Sequence, residues 1–172
     1  SLETDGTVEL ADKSKVDLDP QNEHRADKCG PHLTWDEGVS SQDTVWEHCC
    51  DYCQSTTNGV GENLYFQRLS MKDPKQGIDA WYDVVRAHNY DAAQYSSASG
   101  HFTQLIWKST TRAGCGIAIC PGLSGGGVMM VCQYAPQGNL TMNGGWQGPT
   151  NVPPPGKCTP PRRMAAGSSQ TG

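Results

Sequence analysis

The sequence predicts an α+β fold: a three-layer α-β-α sandwich with a small antiparallel sheet, stabilised by disulfides. Three observations predict it. Apolar residues recur at helical spacing in the first two thirds of the 172-residue chain, two short alternating runs follow, and eight cysteines are spread along the chain. Helices that precede a hairpin are typical of helices stacked on an antiparallel sheet. The hairpin segment 128–131 (VMMV) is apolar on both sides, so the sheet should be buried on both faces.

The helical part divides into three predicted segments. From Trp35 to Cys53 apolar residues recur at steps of three, four and seven, which indicates one face of a helix. A second helix has Asp73 as its cap and Pro74 in its first turn. Its apolar stripe is Ile78, Trp81, Val85 and His88. A third, short helix is predicted from His101 to Ser109.

The strands and the domain limits follow from a change of period. The runs GCGIAIC and VMMVCQYAP, joined by PGLSGGG, predict a β-hairpin from Gly114 to Pro136. Residues 1–19 are polar and acidic and should form an extended N-terminal arm. Residues 149–172 are rich in Pro, Gly and Ser and should form a linker or tail. The folded domain should therefore span residues 20–148.

The cysteines indicate an oxidising compartment. Only Cys50 and Cys53 have CxxC spacing and no second such pair follows, so a disulfide framework is favoured over zinc ligation. Cys120 and Cys132 should lie close together on the two hairpin strands, which makes them a candidate pair. The sequon Asn139-Leu140-Thr141 agrees with secretion and makes Asn139 a candidate glycosylation site. All eight cysteines are disulfide candidates: Cys29, Cys49, Cys50, Cys53, Cys115, Cys120, Cys132 and Cys158.

Charge and hydropathy exclude two classes of partner. The net charge of −5 does not attract phosphate backbones, so no nucleic acid is expected. No apolar run approaches the roughly 20 residues that a spanning helix needs, so no transmembrane segment is expected. The sequence shows no signal peptide and is expected to be a mature chain or a fragment.

Several ordered motifs carry a family resemblance. The stretch GHFTQLIWKSTTRAGCG (100–116) resembles the first signature of the CAP superfamily, which comprises cysteine-rich secretory proteins, antigen 5 and pathogenesis-related class 1 proteins. The stretch CQYAPQGN (132–139) resembles the second signature, with Gln137 at the usual proline position. GENLYF, AWYDVV and LTWDEGVSSQ resemble further landmarks, so the resemblance covers residues 20–146. It implies a secreted α-β-α sandwich in which Cys115 bonds one of Cys49, Cys50 or Cys53.

The resemblance also implies a cleft with two histidines and two acids that can bind a divalent metal. Glu62 matches the acid of the GEN motif and His101 matches the histidine of the first signature. The other two positions are apparently lost, because Val84 stands where the second acid is expected and Gln54 where the second histidine is expected. Zinc typically takes at least three protein ligands. We therefore expect at most a weakly bound divalent metal at Glu62 and His101, and no required cofactor.

Two other interpretations of this pair remain open. In the first, Glu62 and His101 hydrogen-bond each other and hold two segments of the chain together. In the second, they belong to the active site of a metal-dependent hydrolase or protease. The chain has no GxSxG elbow, so we expect no catalytic serine of that kind.

A lipid site is suggested by the resemblance and by one loop. Members of the family bind sterols or fatty acids in apolar regions, and NYDAAQYSSASG (89–100) places Tyr90 and Tyr95 among small residues. We expect a secreted, non-enzymatic protein that binds a sterol, another lipid or a protein partner in a defence, effector or venom-like role. The rival hypotheses are the hydrolase and an interaction module of a larger secreted protein. An unpaired Cys158 would favour the interaction module.

Overall fold

The computed structural model describes residues 16–39 and 59–158. Its α-helices are short, and 3₁₀ turns lie at Val84–Ala87, Ser97–Ser99 and Leu123–Gly125. No helix of the described residues is long and apolar enough to cross a membrane. The elements in chain order are α1 (Asp19–Asp27), β1 (Thr34–Trp35), β2 (Gly61–Arg68), α2 (Lys75–Asp83), α3 (Gly100–Ile106), β3 (Arg112–Cys120), β4 (Gly127–Ala135), β5 (Thr141–Met142), β6 (Gly145–Trp146) and α4 (Gly148–Asn151).

The main sheet has four strands in the order β1-β3-β4-β2. Strands β3 and β4 form the predicted hairpin, and β2 adds to β4 in antiparallel orientation. The two-residue strand β1 pairs with β3 in parallel orientation, so the sheet is antiparallel except at this edge. Parallel pairing needs a long connection between the strands, and the chain from Trp35 to Arg112 supplies it.

Both faces of the sheet are buried, as the sequence predicts. Every residue of β4 is buried, and its alternate side chains enter two separate apolar clusters. One face packs against helices α2 and α3 through Ile78, Trp81, Phe102, Leu105 and Ile106. The opposite face carries Leu64, Ala118, Met129 and Val131.

Helices α2 and α3 confirm two of the three predicted segments. The start of α2 differs by one residue from the prediction, because Pro74 takes the N-cap position and Asp73 precedes it. The Oδ1 atom of Asp73 accepts a hydrogen bond of 2.9 Å from the backbone N–H of Lys75. The regular helix ends at Asp83 and continues only as the 3₁₀ turn Val84–Ala87. The remaining predicted helix, from Trp35 to Cys53, does not start at Trp35, because this residue ends strand β1 and a turn follows it. The rest of that segment, residues 40–58, lies outside the described residues.

Helix α1 was not expected, because it has no apolar stripe. Its buried residues are the polar Gln21 and Arg25, and a search for apolar spacing does not find such a helix. Packing also extends past the predicted domain limits of 20 and 148. Val16 and Leu18 are buried before α1, and Asn151 and Val152 are buried near the other end.

The disulfides confirm the framework and correct the predicted pairs. Cys115 bonds Cys132, and the two residues are directly opposite each other in the β3–β4 register. The prediction of Cys120 with Cys132 is therefore wrong, and so is the pairing of Cys115 with Cys49, Cys50 or Cys53. The hairpin register places Cys120 opposite Gly127, five residues from Cys132, and Cys120 is itself disulfide-bonded. Cys158 bonds Cys29, which removes the observation that would favour an interaction module.

Candidate functional site

Glu62 lies near the start of the edge strand β2. Its Oε2 atom accepts a hydrogen bond of 2.9 Å from Nε2 of Gln133, the residue opposite it on β4. The side chain lines a small cavity of about 200 Å³ together with polar groups of Gln104, Gln137 and Asn139. This carboxylate therefore belongs to a polar hydrogen-bonded corner of the sheet.

His101 is the second residue of α3. Its ring centroid lies 6.4 Å from that of the buried Trp81. Although part of the side chain is exposed, the surrounding protein removes enough water to lower the pKa of the imidazole. The ring is therefore neutral at pH 7, and within residues 16–39 and 59–158 it makes no hydrogen bond.

The segments of Glu62 and His101 are joined one residue further along, by Asn63. The Asn63 side chain donates a hydrogen bond of 3.0 Å from Nδ2 to the backbone carbonyl of His101. Successive side chains of a strand leave opposite faces, so Glu62 and Asn63 differ in orientation, and Glu62 approaches α3 only at the cavity that it lines with Gln104. The hydrogen bond between the Glu62 carboxylate and the His101 imidazole is not formed.

The two remaining family positions do not complete a metal site. Val84 is half-buried, packs against the apolar core and has no atom that ligates a metal. Asp83, one residue earlier, is exposed, and Gln54 lies outside the described residues. In the part of the chain that the structure describes, no three His, Cys, Asp or Glu side chains could hold one ion. The described donors do not fit zinc.

The two loop tyrosines occupy different environments. We define loop 89–99 as the residues between His88, which follows the 3₁₀ turn Val84–Ala87, and α3. Tyr90 packs against the core, with its ring edge-on to His88 at 4.6 Å. Its hydroxyl is buried and has no hydrogen-bond partner within the described residues. Tyr95 is 43% exposed, and its ring lies 5.4 Å from that of Trp146.

Asn139, the candidate glycosylation site, is part of a clamp on α3. Its Nδ2 donates a hydrogen bond of 2.9 Å to the carbonyl of Gly100, and its Oδ1 accepts one of 2.5 Å from Thr103 Oγ1. A glycan would be attached to the same nitrogen, so modification would replace one of the two Nδ2 protons. Glycosylation at this position stays a prediction.

Trp146 was missed by the sequence reasoning. It ends the hairpin of β5 and β6, whose two-residue turn is Asn143-Gly144 with both residues at positive φ. Asn-Gly between short strands is a strong hairpin signal, and it stands in the sequence as TMNGGW. That signal would have predicted the hairpin, although not its contact with Tyr95.

Comparison with known proteins places this geometry in a family. A model of the cysteine-rich secretory protein family (CAP) matches residues 18–134. GLIPR1-like protein 1 of Homo sapiens is 30% identical over 121 residues, which are 63% of this chain and 50% of that protein. Cysteine-rich secretory protein 2 of Homo sapiens is 35% identical over 118 residues, which are 62% of this chain and 47% of that protein. The chain thus spans about half the length of these relatives.

A solved structure shows the same fold. The crystal structure of NaASP2 with Zn²⁺ has a TM-score of 0.60 at 20% identity, over 82% of this chain and 87% of that one. The likeness supports the three-layer α-β-α sandwich, in agreement with a sheet that is buried on both faces. The family model covers well over half of the chain. This protein belongs to the cysteine-rich secretory protein family and carries its CAP domain.

Proposed function

We propose that this chain is a secreted, non-enzymatic binding domain whose ligand is a sterol or another lipid with one polar group. Secretion is supported by the disulfides and by relatives that include a cysteine-rich secretory protein. The binding site we propose lies beneath loop 89–99, between Tyr90 and the helices. The observation that carries this proposal is the buried Tyr90 hydroxyl.

A buried hydroxyl without a partner is unfavourable. Leaving such a group unsatisfied costs about 1–3 kcal/mol, and buried polar groups in native proteins are normally paired. A ligand hydroxyl or carboxylate placed against the Tyr90 oxygen would recover this cost. Burial raises the pKa of Tyr90, so the phenol is protonated at neutral pH and can donate to the ligand.

The surroundings of Tyr90 suit the apolar part of such a ligand. Phe102 packs edge-on against Tyr82 at 5.5 Å and lies 5.5 Å from the ring of His88, so aromatic rings line this side of the helices. Burial lowers the pKa of His88, which is therefore neutral at pH 7. Ala92, Ala93 and Ala98 in the loop are small, so Tyr90 is the loop side chain that packs against the core.

The contacts of Glu62 and His101 do not favour a metal-dependent hydrolase. That reaction needs three ligands around an ion and a base within hydrogen-bond reach of the attacking water. Val84 supplies no ligand, and the described contacts bond the Glu62 carboxylate to Gln133. We derive no reaction step from these residues.

The substitution Tyr90→Phe tests the proposal, because it removes the unpaired hydroxyl and keeps the ring. We expect the free energy of unfolding of the ligand-free protein to stay equal or to rise by about 1 kcal/mol. Affinity for cholesterol or palmitate should fall about tenfold, since a hydrogen bond inside the site is lost. Direct titration with both radiolabelled lipids gives the affinities, and urea denaturation gives the stability.

Tyr95→Phe is the matched control, because Tyr95 belongs to the same loop and its side chain is exposed. It should leave lipid affinity unchanged. Binding of both lipids no stronger than to an unrelated secreted protein would reject the lipid and leave a protein partner as the ligand. Equal lipid affinity of the wild type and Tyr90→Phe would reject the site beneath the loop.

A further inference from the structure

The outer face of loop 89–99 forms a second concave surface with the β5–β6 hairpin. It is an open groove of about 570 Å³, lined by Ala93, Gln94, Tyr95, Thr141, Gly144 and Trp146. This volume is in the range of small-molecule clefts, about 300–1,000 Å³. Tyr95 lines the groove and Tyr90 does not.

The two aromatic rings of the groove are held in place by the protein. The ring of Trp146 lies 5.4 Å from the buried Trp107, and a Cβ added at Gly148 would come within 2.0 Å of its indole nitrogen. The Tyr95 hydroxyl lies over Gly100, where an added Cβ would be 2.3 Å away. A surface that is already ordered loses little conformational freedom when a ligand binds.

The polar groups of the groove are available to a ligand. Gln94 and Thr141 are exposed, and neither side chain makes a hydrogen bond to any described residue. An amide and a hydroxyl together offer donors and acceptors on both sides. The β5–β6 hairpin is stabilised by Gln147, whose Nε2 donates hydrogen bonds to the backbone carbonyls of Met142 and Gly145, at 3.3 and 3.1 Å.

The charge and the ring geometry decide the ligand class. None of the six lining residues is Asp, Glu, Lys, Arg or His, so a charged ligand would lose hydration without a counter-charge. The rings of Tyr95 and Trp146 are tilted by 54° and make an aromatic corner. The C–H face of a pyranose packs against such rings, and its hydroxyls suit neighbouring amides and hydroxyls. A wholly apolar ligand would cover Gln94 and Thr141 without pairing them.

We propose that this groove binds a neutral sugar, with a pyranose ring against Tyr95 and Trp146 and its hydroxyls bonded to Gln94 and Thr141. The groove shares no lining residue with the proposed lipid contact at Tyr90. Bound sugar should therefore not compete with cholesterol.

Saturation-transfer NMR with four neutral oligosaccharides tests the inference. The probes are chitotriose, mannotriose, maltotriose and cellotriose, with sialyllactose as an anionic comparison and a decaproline peptide as a test of a proline-rich partner. We expect transfer to the ring C–H protons of at least one neutral sugar, with stronger binding than to sialyllactose.

Two substitutions and a control locate the site. Tyr95→Leu should weaken sugar binding about tenfold and Gln94→Leu about threefold or more, because the first removes ring contacts and the second removes hydrogen bonds. Met142→Ala is the control, since Met142 is 52% exposed on the same hairpin and does not line the groove. Thr141 is left unchanged because it belongs to the Asn139 sequon. No transfer to any of the four sugars, binding of decaproline alone, or equal affinity in Tyr95→Leu would each overturn the proposal.

Discussion

At the scale of single residues, the most consequential side chain is one that the sequence does not reveal. Arg25 is fully buried, and its guanidinium donates to four backbone carbonyls: Pro31 at 2.7 Å, Leu105 and Trp107 at 3.0 Å, and Thr110 at 2.7 Å. Two of these acceptors lie at the C-terminal end of α3, where carbonyls have no partner within the helix. Burial lowers the pKa of Arg25 to about 10, so it remains charged at pH 7.

The substitution Arg25→Met should therefore destabilise the protein strongly. It leaves four carbonyls of two separate segments without a donor, and we expect a loss of about 3–5 kcal/mol in the free energy of unfolding. Urea denaturation measures this loss. Arg112→Met is the control: Arg112 forms an exposed ion pair with Asp36, which typically contributes about 0–1 kcal/mol. Equal losses for the two variants would contradict the role of Arg25.

At the scale of elements, loop 89–99 is closed at its base by one side-chain contact. The Nδ1 atom of His88 lies 3.0 Å from the Oγ atom of the buried Ser99, at the two ends of the loop. Burial, with a smaller effect of Lys28, lowers the pKa of His88 below 6.5. The folded protein therefore disfavours protonation of this ring relative to the unfolded chain.

Acidification should consequently weaken the fold. Below about pH 6.5 the unfolded chain binds a proton at His88 more readily than the folded protein does, so the free energy of unfolding falls as the pH drops from 7.5 to 5. His88→Gln retains a hydrogen-bonding side chain and cannot titrate, so it should reduce this dependence. Denaturation midpoints at both pH values provide the measurement. An identical pH dependence in the wild type and His88→Gln would show that other groups cause it.

Some elements of the fold were predictable from the sequence and others were not. Helix α2 and the β3–β4 hairpin were predictable because apolar spacing and turn residues stand in the sequence. The hairpin register was not, since the seven residues PGLSGGG allow more than one turn position, and this ambiguity produced the wrong cysteine pair. For the site, the motifs identified Glu62 and His101, but the face of the sheet on which Glu62 lies depends on the phase of strand β2.

At the scale of the whole molecule, the Cys29–Cys158 disulfide links the end of the first helical segment to the C-terminal segment across 129 residues. Replacing both cysteines with serine frees a long loop in the unfolded chain and should lower stability by about 2–5 kcal/mol. Thermal denaturation of the double variant, compared with the wild type, measures the effect. A double variant as stable as the wild type would contradict a stabilising role for this link.

We propose that the domain carries a lipid beneath loop 89–99 and does not depend on zinc. Native mass spectrometry of the protein, purified without detergent from the medium of secreting cells, tests this claim most directly. We expect a non-covalent adduct with the mass of a sterol or fatty acid, which is reduced in Tyr90→Phe and kept in Tyr95→Phe. A protein without lipid that carries one zinc ion per chain, lost in His101→Ala, would contradict the claim.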